Sequence, residues 1–267
     1  MVYGPPASQQ AGNILIERIN ILGLGISAIN MRLALETIQG WIVRREPNYV
    51  CVTPVHSVME CQHHPELRSV FNRSGLTTPD GMPLVWLCRL RGYRSVDRVY
   101  GPDLMLALCR LSVEHGFRHF LYGGGPGVAD ELAKNLKRLF PGLCIAGVCS
   151  PPFRDLAPAE EDGIVQTINE AAADIIWVGL GSPKQERWMA QHIGKLNAPV
   201  LIGVGAAFDF HAGIKAQAPR WMQRSGLEWL FRLITEPRRL GRRYLINNPL
   251  FVMLVILQTL GLKRYSI

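Results

Sequence analysis

Nowhere in the 267 residues do two aspartates stand as Asp-x-Asp, and no His-Glu-x-x-His spacing occurs, so the chain carries no sequence signature of a metal site. Its histidines read as surface groups or satisfied core groups. The six cysteines, Cys51, Cys61, Cys88, Cys109, Cys144 and Cys149, include no Cys-x-x-Cys pair and sit mostly among apolar neighbours. That speaks against a disulfide framework and a zinc ribbon, and for buried thiols in a reducing compartment. Met1 to Gly12 lacks the basic start and apolar run of a secretory signal and reads as a loose tail. The apolar run Leu250 to Leu257 fades at Gln258 and Thr259, short of the roughly 20 residues that cross a bilayer. Acid is scarce at one end: residues 217–267 hold nine Lys or Arg against two Glu, whereas residues 1–216 hold 20 basic and 19 acidic residues. A neutral body with a basic tail points to an anionic partner for the tail, either a membrane or a nucleic acid.

What is present is a large core: 48% of residues are apolar, enough for one α/β domain with an appendage. Short apolar runs alternate with helical stretches. Strands are expected at Ile19 to Leu22, Tyr49 to Thr53, Arg118 to Tyr122, Leu143 to Val148, Ile175 to Val178 and Pro199 to Val204, with a further strand end at Gly75 to Gly81. Helices are expected from about Asn30 to Arg44, Met82 to Leu90, Pro102 to His115, up to Phe140, and Glu160 to Ala172. Such alternation predicts a doubly wound, mostly parallel, Rossmann-like sheet.

The most informative stretch is Asp174 to Met189. A buried strand, Ile175 to Val178, runs into Gly179 and Gly181, then into a helix for which Ser182 is the expected cap and Pro183 the first residue. Free helical N–H groups beside Lys184, Gln185 and Arg187 suit a nucleotide or phosphate; the plain alternative is an ordinary strand-to-helix turn. Gly123, Gly124 and Gly125, with Gly127, make a second such corner, where backbone amides can surround a phosphate or simply turn. Asp80, before Gly81 at a strand end, is the candidate chemical group, because an α/β sheet binds its ligands beyond the carboxyl ends of its strands. Its plain alternative is a cap. Thr53, ahead of Pro54, presents a hydroxyl to a ligand or caps the next helix, and Arg98 holds a phosphate or pairs with Asp97 or Asp103. Gly23-x-Gly25-x-x-Ala28 imitates a dinucleotide fingerprint, but Arg44 and Arg45 stand where that motif needs an acid.

In the tail, Leu227, Leu230, Phe231 and Ile234 follow helical spacing. Arg238, Arg239, Arg242 and Arg243 then precede Asn247-Asn248-Pro249 and the apolar run from Leu250. A basic stretch followed by a short apolar helix matches a segment lying in the membrane interface; the alternative is a terminal helix packed on the core.

Taken together, Thr-Pro-Asp80-Gly81, Arg98-Val-Tyr-Gly-Pro-Asp-Leu, Tyr122-Gly-Gly-Gly, Trp177-Val-Gly-Leu-Gly-Ser-Pro-Lys-Gln-Glu186, Gly203-Val-Gly-Ala-Ala-Phe-Asp209 and Gly226-Leu-Glu-Trp-Leu-Phe-Arg232 resemble the WecG/TagA/CpsF family of bacterial glycosyltransferases. The resemblance runs from Ile19 to the C-terminus. It implies transfer of a sugar from a UDP donor, with inversion, to a sugar already linked to polyprenyl diphosphate on the cytoplasmic membrane face. It implies Asp80 as general base and places Thr53, Arg98 and Gln185 in the active site, with Glu186 and Asp209 inside matched motifs. No metal or other cofactor is expected. One departure stands out: Val55 occupies a position where the family commonly has Asn, which leaves glucose, N-acetylmannosamine and its uronic acid open as the donor sugar. The expected organisation is a disordered tail at 1–12, a glycosyltransferase core at 13–216 and a membrane-associating appendage at 217–267. The expected state is peripheral on the inner membrane's cytoplasmic face, free of nucleic acid, with homo-oligomers possible. The rival readings are a nicotinamide oxidoreductase, from Gly23 to Ala28, and a nucleic-acid-binding protein, from the arginine-rich tail.

Overall fold

Runs of branched and aromatic residues form strands here because both faces of the sheet are covered, so successive side chains enter opposite apolar layers. The computed structural model describes residues 15–267, the side chains of Arg239, Arg242 and Arg243 excepted. The loose tail expected at residues 1–12 lies outside the described residues.

The strands are β1 (Arg18–Ile21), β2 (Leu24–Ser27), β3 (Asn48–Thr53), β4 (Leu76–Pro79), β5 (Arg118–Gly123), β6 (Cys144–Cys149), β7 (Ile175–Gly179) and β8 (Val200–Gly203). β1 and β2 pair antiparallel as a separate hairpin. The other six form one parallel sheet in the order β4-β3-β8-β7-β5-β6. Helices α1 (Met31–Arg44), α2 (Val55–His63), α3 (Pro65–Arg73), α4 (Met82–Leu90), α5 (Gly101–His115), α6 (Val128–Leu139), α7 (Pro158–Glu170) and α8 (Lys184–His192) connect or follow them, and α9 (Ala207–His211), α10 (Arg220–Arg224), α11 (Glu228–Thr235) and α12 (Pro237–Thr259) complete the chain. This is the doubly wound, Rossmann-like arrangement that the alternation predicts. Tyr49, Cys51, Tyr122 and Val178 enter the cluster on one face, and Val50, Val52, Leu121 and Trp177 the cluster on the other.

Three sequence readings change. Gly23 and Gly25 belong to the hairpin, with Gly23 at φ 84°, so no strand-to-helix nucleotide corner exists there. Ser182 is not the cap of α8: Pro183 holds that position without a side-chain bond, and the Ser182 hydroxyl lies 3.3 Å from that of Ser57. In the tail, the arginines, Asn247-Asn248-Pro249 and the apolar run all belong to α12, one 23-residue helix that runs through Pro249. Cys144, at the start of β6, is exposed, unlike the buried Cys51, Cys61, Cys88 and Cys109.

The tail is also joined to the body. Phe251, Leu254 and Val255 of α12 are buried in the same cluster as Tyr49 and Tyr122. Each such side chain contributes about 1.5–3 kcal/mol when fully buried. Gln258 accepts from the backbone N–H of Leu22 at 3.2 Å, and Asn20 donates to the Tyr265 carbonyl at 2.7 Å. The opposite face of α12 leaves Leu245, Ile246, Val252, Met253 and Ile256 at least half exposed. Among the described residues no helix is long and apolar enough to cross a membrane.

Candidate active site

Parallel register builds the site's floor. Thr53 aligns with Pro79 and Cys51 with Gly203, so the residues just past β3, β4 and β8 emerge side by side, where doubly wound sheets bind ligands. A cleft of about 680 Å³ opens there. Val52, Pro54, Asp80, Gly203 and Gly205 line its base, with Arg98 and Tyr100 ahead of α5, Gly181 and Gln185 beside α8, and Glu228 and Arg232 from α11.

Asp80 follows β4 and is anchored by its own backbone N–H, which donates to the Thr53 carbonyl at 3.1 Å. Its side chain is only 18% exposed, and Oδ1 lies 3.6 Å from Arg98 Nη2. Burial lifts the carboxyl to about 6; Arg98 opposes that shift and Glu228 adds to it. The Arg98 guanidinium donates to the Asp80 carbonyl, meets Glu228 Oε2 at 2.5 Å, and lies 4.0 Å over the Tyr100 ring. Tyr100 donates its hydroxyl to Glu228 Oε1 at 3.0 Å. Two carboxylates therefore share one fixed guanidinium.

Three buried polar atoms on cleft-lining residues find no hydrogen-bond partner among the described residues: Asp80 Oδ1, Gln185 Oε1 and Arg232 Nε. Buried polar groups are almost always satisfied, so an acceptor carboxylate, an acceptor amide oxygen and a cationic donor left open around one cleft mark a polar ligand's place.

Of the residues expected from sequence, the structure brings Asp80, Arg98, Gly181 and Gln185 together around the cleft. Others do not line it. Thr53 is wholly buried and its hydroxyl turns back to the Cys51 carbonyl at 2.8 Å, so only its backbone serves the site. Gly123 and Gly179 are where two strands touch: a Cβ on Gly123, at φ 126°, would sit 2.6 Å from the Gly179 backbone, and one on Gly179 would strike the Phe208 ring at 2.7 Å. Gly124 and Gly125 pack toward Val128. These glycines serve close packing. Glu186 is fully buried behind the cleft, where it accepts from the Gln185 amide at 3.0 Å and so orients that side chain. Asp209 is paired with Lys215 at 2.8 Å. Arg238 is exposed on α12, while the side chains of Arg239, Arg242 and Arg243 lie outside the described residues. Among the described residues, no group of three or more His, Cys, Asp or Glu side chains is placed to hold a metal ion.

Sequence reasoning missed Tyr100, Glu228, Arg232, His56 and Trp86, all in the lining. One signal for Glu228 existed: it is one of two acids in a segment with nine basic residues.

The family model described as the glycosyl transferase WecG/TagA/CpsF family matches residues 19–265. The chain is similar to an N-acetylglucosaminyldiphosphoundecaprenol N-acetyl-beta-D-mannosaminyltransferase of Bacillus spizizenii strain W23, 29% identical over 197 residues, covering 74% of each chain. The protein of the same description from Bacillus subtilis strain 168 is 29% identical over 73% of this chain and 74% of its own. That of Staphylococcus aureus strain NCTC 8325 is 24% identical over 88% and 91%.

Proposed function

This chain belongs to the WecG/TagA/CpsF family of glycosyl transferases, and on that premise we propose that it moves a hexose or N-acetylhexosamine from a UDP-sugar to a sugar carried on polyprenyl diphosphate, with inversion at the anomeric carbon. The observation that carries this reading is Asp80: a carboxylate at the mouths of the parallel strands, ion-paired with Arg98 at 3.6 Å but with no hydrogen-bond partner on Oδ1, lining a cleft that also holds Arg232.

An acceptor hydroxyl is a poor nucleophile until its proton is taken. Asp80 takes that proton as the hydroxyl oxygen forms its bond to the anomeric carbon, and the bond from that carbon to the diphosphate oxygen breaks with its electron pair leaving on UDP. With the carboxyl near 6, the basic form prevails at neutral pH and still holds a proton well enough to be useful. The leaving diphosphate gains charge, which Arg98 and Arg232 meet as fixed cations. Gln185, oriented by Glu186, offers its free amide oxygen to a sugar hydroxyl.

The curated relatives transfer N-acetylmannosamine by name. In this chain Val55 lines the cleft where the family commonly has Asn, so a donor substituent there meets a surface that cannot hydrogen-bond. Glucose, N-acetylmannosamine and its uronic acid all stay open as the donor sugar. The acceptor is a lipid, and the basic, half-exposed α12 brings the enzyme to an anionic leaflet, which we assign to the cytoplasmic face. The test is transfer of radiolabel from a panel of UDP-sugars, UDP-glucose and UDP-N-acetylmannosamine among them, to prenyl-diphosphate-linked N-acetylglucosamine. Labelled lipid product with one donor is expected; no product with any donor overturns the reading.

A further inference from the structure

We propose that the apolar end of the cleft, between α4 and α12, is a binding subsite for the isoprenoid segment adjoining the diphosphate of the acceptor. The inference rests on the glycosyl-transfer reading above and adds a place for the hydrocarbon that such an acceptor carries.

The cleft is divided by chemistry. Its charged lining residues are Asp80, Arg98, Glu228 and Arg232, and all four belong to one interacting group around Asp80. The wall between α4 and α12 carries none: Trp86, Leu90, Phe251, Val252, Val255 and Ile256 face it instead. Several of these lie open, with Leu90 at 82%, Val252 at 56%, Ile256 at 52% and Trp86 at 45% exposure. Contiguous exposed apolar surface continuous with a polar site fits a ligand that is itself divided, with an anionic head and a hydrocarbon tail.

The path also has an exit. Val252 and Ile256 line a second depression, with Pro249, Met253 and Leu257, on the outer side of α12. An isoprenoid chain leaving the diphosphate at Arg98 and Arg232 passes along α4 and α12, rounds Val252 and Ile256, and emerges on the same exposed apolar face as Leu245 and Ile246. The head is thereby held in the polar cleft while the remainder of the chain stays in lipid. A wall that only touched the membrane would have no reason to continue inward to the atoms of the catalytic group.

Two measurements test this on the full chain in buffer without detergent or vesicles. Isothermal titration compares geranyl diphosphate with methyl diphosphate, and steady-state transfer compares N-acetylglucosamine linked to the same two groups. Wild type is expected to bind the geranyl compound about tenfold or more tightly, the scale of a few buried methylene groups. Leu90→Gln and Val252→Asn, at exposed positions that tolerate polar side chains, are expected to collapse that ratio in both binding and KM, with melting temperatures retained. Equal affinity of wild type for the two diphosphates, no measurable binding of geranyl diphosphate, or a ratio unmoved by both variants overturns the subsite. Weaker binding of UDP in the variants, with the geranyl preference intact, assigns the wall to the donor and also overturns it. Absence of transfer to either acceptor beside an intact geranyl preference sinks the transfer reading alone; transfer without that preference sinks the subsite alone.

Discussion

Glu228 and Arg98 stand 130 positions apart in the chain and meet at 2.5 Å, Oε2 on Nη2, with both side chains only 14% exposed. The contact ties α11, in the basic C-terminal segment, to the group that surrounds Asp80. The segment expected as a membrane-associating appendage also supplies two charged members of the site, Glu228 and Arg232.

Asp80→Asn is expected to fold, to bind UDP, and to lose about 100-fold or more in turnover, the usual scale for a missing general base. Single-turnover transfer near the wild-type rate by the folded variant removes Asp80 from the mechanism.

The same variant is expected to be more stable than wild type at neutral pH. The folded-state value of Asp80 lies at about 6, above the ordinary 3.8, because ionising it inside the fold is unfavourable. Wild type holds the associated stability below about pH 4 and loses it as pH rises through 6, whereas Asn cannot ionise. The gain is on the order of 2 kcal/mol at pH 8 and vanishes near pH 4. Urea titrations at both pH values measure it; equal midpoints at pH 8 contradict the burial argument.

Glu228→Gln removes one of the two influences that raise Asp80 and leaves Arg98 pulling the other way. The acid limb of kcat/KM against pH is expected to move below its wild-type midpoint near 6. An unmoved or raised midpoint separates Glu228 from Asp80.

No Asp-x-Asp motif occurs in the sequence, and the cleft has Arg98 and Arg232 to meet the departing diphosphate. EDTA is therefore expected to leave transfer largely intact. Activity lost to the chelator and restored by Mg²⁺ or Mn²⁺ means that a metal supports the reaction.

Binding to anionic vesicles is expected to need charge and apolar surface together. Each Arg near an anionic leaflet contributes about 1 kcal/mol, so replacing Arg238, Arg239, Arg242 and Arg243 by Gln is expected to release most of the protein, and raised salt to weaken wild type through the same attraction. Leu245→Asp, at a 71% exposed position on α12, tests the apolar share without disturbing the core. Deleting the tail is a poorer test, because it also removes Phe251, Leu254 and Val255 from the cluster beneath the sheet. Undiminished co-sedimentation of both variants refutes the membrane role.

Much of the fold was written locally. A run such as Ile175 to Val178 is apolar on both sides and ends at Gly179, so the parallel strands, helix α4 from Met82 to Leu90, and the placing of Asp80 beyond a strand follow from neighbours in sequence, whereas β2 of the hairpin did not. Arg98 and Gln185 were legible as site residues through the family resemblance of the motifs around them, local neighbours alone leaving a surface ion pair open for Arg98 and an ordinary strand-to-helix turn for the stretch around Gln185. What only the tertiary structure decided is which local features share a space. Glycine marks a close approach without saying what approaches, and at Gly123 and Gly179 it is a neighbouring strand and Phe208. Thr53 offers a hydroxyl at a strand end, and the folded backbone claims it. Glu228 and Arg232 reach the cleft from a segment whose next helix, α12, buries Phe251, Leu254 and Val255 in the body, while Arg98 and Tyr100 hold Glu228 directly. Apolar burial is non-directional and acts over any sequence separation, so the partners it brings to a site leave no spacing in the chain from which to read them.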